Sequence, residues 1–486
     1  MSGPRQSLYL AHRRSASSSE AIPLAAGLVL ALALALALVH RPLFAAALVL
    51  AVPTAWLVTR PYGGVALGTG LLLTLPYWQT LGAPQVTVLR LASVAAAANF
   101  AVTRRFRVQA PDVALFTLAG VIVAGWLIRY DEPHVGRIVS TELTPLGFYL
   151  GARSVPSARL PLVMKITAVA GTVGASTVIY EFARGQAVFV DSTKYLWNAT
   201  SETVFRPGGI FGSPPGAATV LSFVVLFGLA SLYYTRGGER RFVAACVAIS
   251  AAALALTFTR AGLIAVGLAV IAFLWLVRSP VLRPLRVAWF AVLVATLYVG
   301  LLPAIESNTT FQEGVVRPGT LSQRQSYWSA ALPIAGVSVD NFVVGVGSGA
   351  LEAPGAGNNA YVPSELATSP GVIENSLHNQ YVTTLVENGV VGVAALLLFL
   401  LSVSLPALRR ARSTASPALG ALSVSILAMA VIMAVDTALL HGPSFAMLML
   451  ASGLAVTAVG ERARVGPRTE RSLAHRQPEH PHARPE

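Results

Sequence analysis

A histidine stands where a polar stretch of this chain runs back into an apolar one: Ser376-Leu377-His378-Asn379-Gln380-Tyr381 leads through Glu387-Asn388-Gly389 to the run Leu396–Leu401. At the N-terminus of a membrane-spanning helix an imidazole lies at the water–lipid boundary, where the positive end of the helix dipole favours an anionic substrate group. A neutral imidazole in that position is a competent general base. Three arginines fall at the same boundary in the topology derived below. Arg206 lies in Phe205-Arg206-Pro207-Gly208-Gly209, Arg260 in Thr257-Phe258-Thr259-Arg260-Ala261-Gly262, and Arg324 in Arg324-Gln325-Ser326-Tyr327-Trp328. A guanidinium presents a planar, permanently charged fork matched to phosphate oxygens. Several around one pocket would hold a diphosphate and stabilise charge developing on it as a leaving group. With a base for an acceptor hydroxyl, the set describes glycosyl transfer from a lipid carrier. The competing reading is that the arginines pair with lipid phosphates or with Glu306, Glu313 or Asp340; convergence on His378 separates the two.

The elements that would position these residues are apolar. Of 486 residues, 55% are hydrophobic and 12% charged, about half the charge of an average soluble domain, and the mean hydropathy is +0.65. Runs near spanning length occur at 21–39, 43–58, 63–78, 86–102, 111–128, 161–180, 217–234, 242–258, 261–277, 287–303, 380–404, 417–435 and 444–460, with a weaker one at 139–152. The expected fold is all-α: a polytopic membrane protein of about 14 (12–14) transmembrane helices with one large extracytoplasmic loop. With the N-terminus inside and sides alternating, 24 of the 35 basic residues fall on the cytoplasmic face, as the positive-inside rule requires. That accounts for the net charge of +14 without nucleic acid as a partner. Both termini are then cytoplasmic. The single cysteine, Cys246, excludes an intramolecular disulfide.

The chain divides into a cytoplasmic tail (1–20), an N-terminal membrane bundle (21–180), a region of chemistry (181–460) and a basic tail expected to be disordered (461–486). The two long segments, 181–216 and 304–379, fall on the outer face, and loops of that length are functional or disordered. In the second, Leu321, Arg324, Trp328 and Leu332 recur at helical spacing, an interfacial helix. Glu387 falls about two turns into its span and half a rotation from His378 on a continuous helix, which favours a structural pairing over catalysis. Gly389 and Gly392 read as close-packing positions. Asp436 and His441 flank another outer boundary and are left outside the site. No Gly-rich phosphate loop, CxxC pair or HExxH motif is present, and no metal or cofactor is expected.

In order along the chain, Arg206 through Pro214, Thr259-Arg260-Ala261-Gly262, Arg324 with Trp328, Gly345-Val346-Gly347, and His378-Asn379-Gln380-Tyr381 with Glu387 and Gly389 resemble the O-antigen ligase/polymerase family, bacterial membrane glycosyltransferases that use polyprenyl-diphosphate-linked glycans. The resemblance covers about 205–395. It implies a metal-independent, inverting transfer on the outer face of the cytoplasmic membrane, with His378 as base and Arg260 and Arg324 on the diphosphate. Arg206 and Arg317 stand beside them, and Trp328, Asn379, Tyr381 and Glu387 are supporting residues. The implied partners are a polyprenyl-diphosphate-linked glycan donor, a glycan or lipid-linked acceptor, and membrane lipids. Pro215 stands where the family often has asparagine, and fourteen spans exceed its commoner twelve. The alternative function is a lipid-linked oligosaccharide flippase or other transporter, which should instead carry its charges near mid-membrane between related halves.

Overall fold

The computed structural model describes residues 60, 62–76, 87–103, 107–129, 143–189, 205–277, 320–348, 350, 377–437 and 442–462. Among these there are thirteen α-helices and no strand: α1 Gly63–Thr74, α2 Val88–Thr103, α3 Ala110–Arg129, α4 Leu146–Arg153, α5 Leu160–Arg184, α6 Pro214–Ser231, α7 Gly237–Leu256, α8 Arg260–Val277, α9 Thr320–Gly336, α10 Val339–Val344, α11 Gln380–Thr414, α12 Pro417–Met433 and α13 Gly442–Arg462. Six of the described helices (α3, α5, α6, α8, α11 and α13) are long and apolar enough to cross a membrane, and α1, α2 and α12 are shorter apolar helices. The described residues are thus helical throughout their regular structure, and the protein is a multi-pass membrane protein. The expected spans 21–39, 43–58 and 287–303, Arg317, much of the loop 304–379 and nearly all of the C-terminal tail lie outside the described residues. The weak run at 139–152 contributes α4, eight residues and so about 12 Å long, too short to cross by itself.

Helix ends follow local chemistry. Pro214 and Pro417 open α6 and α12, where the missing N–H is no loss. The Ser213 hydroxyl caps α6 by accepting from Gly216 N at 3.1 Å. Gly185 closes α5 in the left-handed conformation. Helices α6 and α13 form the centre, with 89% and 94% of their apolar windows buried, whereas only 29% of the α3 window is covered.

Contacts sort into two opposite ends of the bundle, set by α5. Near its start, Lys165 Nζ meets Glu239 at 2.7 Å. At the same end Tyr234 OH accepts from Ala418 N at 3.3 Å, and Glu461 accepts from Ser157 N at 2.8 Å. A buried ion pair closes this end: Arg153 Nε lies 2.9 Å from Asp112, with side chains 5% and 0% exposed. Tyr149 OH donates to the same carboxylate at 2.6 Å, and Arg153 Nη2 reaches Arg107 O at 2.9 Å. The far end of α5 carries Glu181 and faces the segment around Arg206.

Helix α11 is not continuous. Gly389 adopts φ 63°, ψ −172°, which breaks it. The break frees the carbonyls of Val386 and Glu387, which would otherwise accept from residues four positions on. Val346 N and Gly347 N take them instead, at 3.0 and 2.8 Å. Gly345, at φ 81°, permits this crossing, because a Cβ there would overlap the Glu387 and Asn388 backbone. Gly389, read from the sequence as a packing glycine, is therefore the joint at which the segment around Gly345–Gly347 meets α11.

Candidate active site

Helix α8 and helix α12 run antiparallel: Gly420, near the start of α12, lies against Phe273 and Val277, near the end of α8. The start of α8, at Arg260, and the residues after α12, at Asp436, therefore share one end of the bundle. Gln380, which opens α11, joins them there, its N–H donating to the Asp436 carbonyl at 3.2 Å.

His378 precedes the cap of α11. The Asn379 side chain accepts from Tyr381 N and Val382 N at 3.0 and 3.1 Å, satisfying two of the free N–H groups of the first turn. His378 itself has φ 46°, a left-handed conformation uncommon for any residue but glycine. Two anchors hold it. Trp328 Nε1 donates to the Leu377 carbonyl at 2.7 Å, and Tyr381 OH donates to Ala430 O of α12 at 3.0 Å. The His378 side chain is 39% exposed, and its Nδ1 lies 3.7 Å from Asp436 Oδ1, whose side chain is 7% exposed. Oδ1 also accepts from Thr437 N at 2.9 Å, so the carboxylate is fixed before any proton moves.

Arg324 projects from the loop helix α9 into the field of the same carboxylate. Burial pushes its guanidinium below the ordinary arginine range, and Asp436 pulls it back up. It remains a cation at neutral pH. Arg324 and His378 thus share Asp436, and the loop helix also reaches the residue before the histidine through Trp328.

Arg260 opens α8 directly after a turn that Arg206 holds. Arg206 Nε donates to Thr257 O at 3.2 Å and Nη2 to Thr259 Oγ1 at 3.1 Å. Two of the five donors of Arg206 are thereby committed to protein. Glu387 is buried at 4% exposure, and it lies two residues before the break in α11. Arg317 lies outside the described residues.

Asp436, placed at a span boundary in the sequence but left outside the site there, stands 3.7 Å from His378. The signal for including it was its position at the end of a span, where an acidic residue is rare in a chain with 21 Asp and Glu in 486 residues. Glu181, at the same end, was not singled out in the sequence, though the same signal applies to it. Arrangement and chemistry agree: an exposed imidazole backed by a buried carboxylate, with guanidinium groups at the same end, can accept a proton and attract a diphosphate.

Comparison with curated proteins gives no match. Residues 245–397 match the family model for O-Antigen ligase, a stretch that contains Arg260, Arg324, Trp328, His378 and the break at Gly389, whereas Glu181, Arg206 and Asp436 fall outside it. Together with the apolar helices, the match supports a membrane enzyme that processes glycans in polysaccharide biosynthesis. The part of this chain that carries the loop helix, the histidine and two of the arginines is thus similar to the O-antigen ligase family.

Proposed function

We propose that the protein is a glycosyltransferase of the cytoplasmic membrane that moves glycan from a polyprenyl-diphosphate carrier to an acceptor hydroxyl at the outer face. His378 takes the acceptor proton as the oxygen attacks the anomeric carbon from the side opposite the diphosphate. The new C–O bond forms as the old one breaks, the configuration inverts, and polyprenyl diphosphate departs with the bonding pair. Arg260 and Arg324 stabilise the negative charge that grows on it. Asp436 orients the ring and stabilises the imidazolium, which then loses its proton to water. No step calls on a metal ion.

The observation that carries this reading is the 3.7 Å approach of His378 Nδ1 to Asp436 Oδ1, with Arg324 held in the field of that carboxylate. The outer-face assignment is supported by the clustering of Arg153, Arg159, Arg236, Arg240, Arg241, Arg409, Arg410 and Arg412 towards the opposite end, which also argues for cytoplasmic termini. Ligase and polymerase chemistry differ here only in the acceptor, a lipid core or wall polymer in one case and another lipid-linked repeat in the other.

Glycan transfer in proteoliposomes from a polyprenyl-diphosphate oligosaccharide tests the proposal. Wild type should form product with or without a chelator, and His378→Ala should lose ~10²-fold or more. Equal rates for the two would remove His378 from the mechanism. Translocation of the donor with no product over a range of acceptors would replace the transferase with a flippase.

A further inference from the structure

The end of α5 holds a carboxylate that the mechanism leaves without a task. Glu181 is 1% exposed, and each of its oxygens accepts from two backbone N–H groups. Val188 N and Phe189 N donate to Oε1 at 2.9 and 3.1 Å. Gly208 N and Gly209 N donate to Oε2 at 3.1 and 2.7 Å. A carboxylate so saturated has no free lone pair directed at substrate, and a proton transfer role is closed to it. What it does is fix main chain, from two separate segments at once.

One of those segments begins with Arg206. Gly209 sits at φ 55° against α5, where a Cβ would overlap Thr177 and Val178, so the stretch 206–209 is pinned between the helix and the carboxylate. Arg206 in turn holds Thr257 and Thr259 through its Nε and Nη2. Between them Phe258 takes φ 49°, a conformation that a bulky residue keeps only when its surroundings enforce it. Its ring packs on Phe182, the neighbour of Glu181, at 6.1 Å between centroids. The three residues before Arg260 are therefore gripped from α5 by two routes, one of charge-assisted hydrogen bonds and one aromatic.

We propose that Glu181 and Arg206 are positioning residues for Arg260: they set the direction in which its guanidinium meets the diphosphate of the lipid carrier, and Arg206 acts through the turn rather than on the phosphate. This rests on the reading of Arg260 as a diphosphate ligand. It explains why a polar turn at the membrane boundary carries a strained phenylalanine, and why a buried carboxylate lies beside a cationic site without touching its ligand.

A double-mutant cycle tests the proposal, with transfer from a polyprenyl-diphosphate oligosaccharide measured per folded molecule in proteoliposomes. Glu181→Gln replaces one acceptor oxygen by a donor and should lower kcat/KM about tenfold or more through misplacement of Arg260. In an Arg260→Lys background, which keeps charge but not the fork, the same substitution should cost less than about twofold. Thr259→Val, which removes one partner of Arg206 and leaves Glu181 intact, should behave alike and serves if Glu181→Gln does not fold. Losses that multiply in full with Arg260→Lys for the variants tested would overturn the proposal. Wild type that turns over with Arg260→Lys unimpaired would instead remove Arg260 as a ligand. Wild type without transfer would remove the glycosyltransferase reading itself.

Discussion

Asp436 holds the His378 region twice, once by its carboxylate, 3.7 Å from Nδ1, and once by its carbonyl, which takes the Gln380 N–H at 3.2 Å. The first contact concerns the ring and the second the backbone that carries it. Substitution of the side chain separates them, because the carbonyl survives.

Asp436→Asn should keep the fold and the helix start while removing the charge that stabilises the imidazolium. The expected result is a fall in kcat of ~10²-fold with KM for the donor within about threefold, as befits an interaction that strengthens only as the proton moves. Initial rates over a range of donor concentrations check it. A rise in KM at constant kcat would mean that Asp436 serves binding alone.

Trp328→Phe deletes the N–H that meets the Leu377 carbonyl and leaves the packing of the ring largely in place. A buried carbonyl without its donor costs about 1–3 kcal/mol. Thermal unfolding in lipid nanodiscs should show a modest drop, and turnover should fall several-fold because His378 loses one of its two anchors. Unchanged turnover would mean that Tyr381 alone orients the histidine.

The glycine joint predicts a sharp contrast between positions. Gly389→Ala and Gly345→Ala each put a Cβ into backbone of the opposing segment, at φ 63° and 81°. Each should cost about 3 kcal/mol or more, seen as a loss of monodisperse protein after extraction. Gly120→Ala and Gly267→Ala meet nothing within 4 Å and lie inside helices, where alanine is favoured by about 0.5–1 kcal/mol. Equal behaviour of the two pairs would contradict the crossing.

At the other end of the bundle, Asp112→Asn strips the charge from the partner of Arg153, whose side chain is 5% exposed. Breaking a buried pair by removing one charge costs about 3–5 kcal/mol. Unfolding should therefore come at a distinctly lower temperature. The specific activity of the fraction that folds should be unchanged, since the network lies at the opposite end of the bundle from His378.

Sidedness can be read with one label. Cys246 is the single cysteine and is buried, so Cys246→Ala is a clean background. Gln186→Cys, near the end of α5, should react with a membrane-impermeant maleimide on intact cells, and Arg240→Cys, at the start of α7, only after permeabilisation. The reverse pattern would invert the topology and move the transfer to the cytoplasmic face.

Much of the helical frame was legible because spanning runs need only composition and length. The run at 417–435 became Pro417–Met433, that at 161–180 became Leu160–Arg184, and the helix after His378 starts at Gln380, as its N-cap asparagine would have it. What could not be read is non-local. The break at Gly389 depends on Val346 and Gly347 arriving to take two carbonyls, and without them the same sequence reads as one long helix. Asp436 lies two helices downstream of His378, so its pairing is a matter of tertiary packing. Arg206 carries the residue type of a phosphate ligand, but its direction is set by a turn far along the chain. Type and boundary position were visible in sequence; partnership was not.

The joint between Val346-Gly347 and Val386-Glu387 is written in main chain. Side-chain exchange at Val346, Val386 or Glu387 leaves its two hydrogen bonds in place, since every residue but proline offers the same N–H and carbonyl. An inserted or deleted residue between Gly345 and Gly347, or between Val386 and Gly389, shifts the register and dismantles it. The seam therefore tolerates drift in spelling but not in length, and its diagnostic mark is the spacing of its glycines.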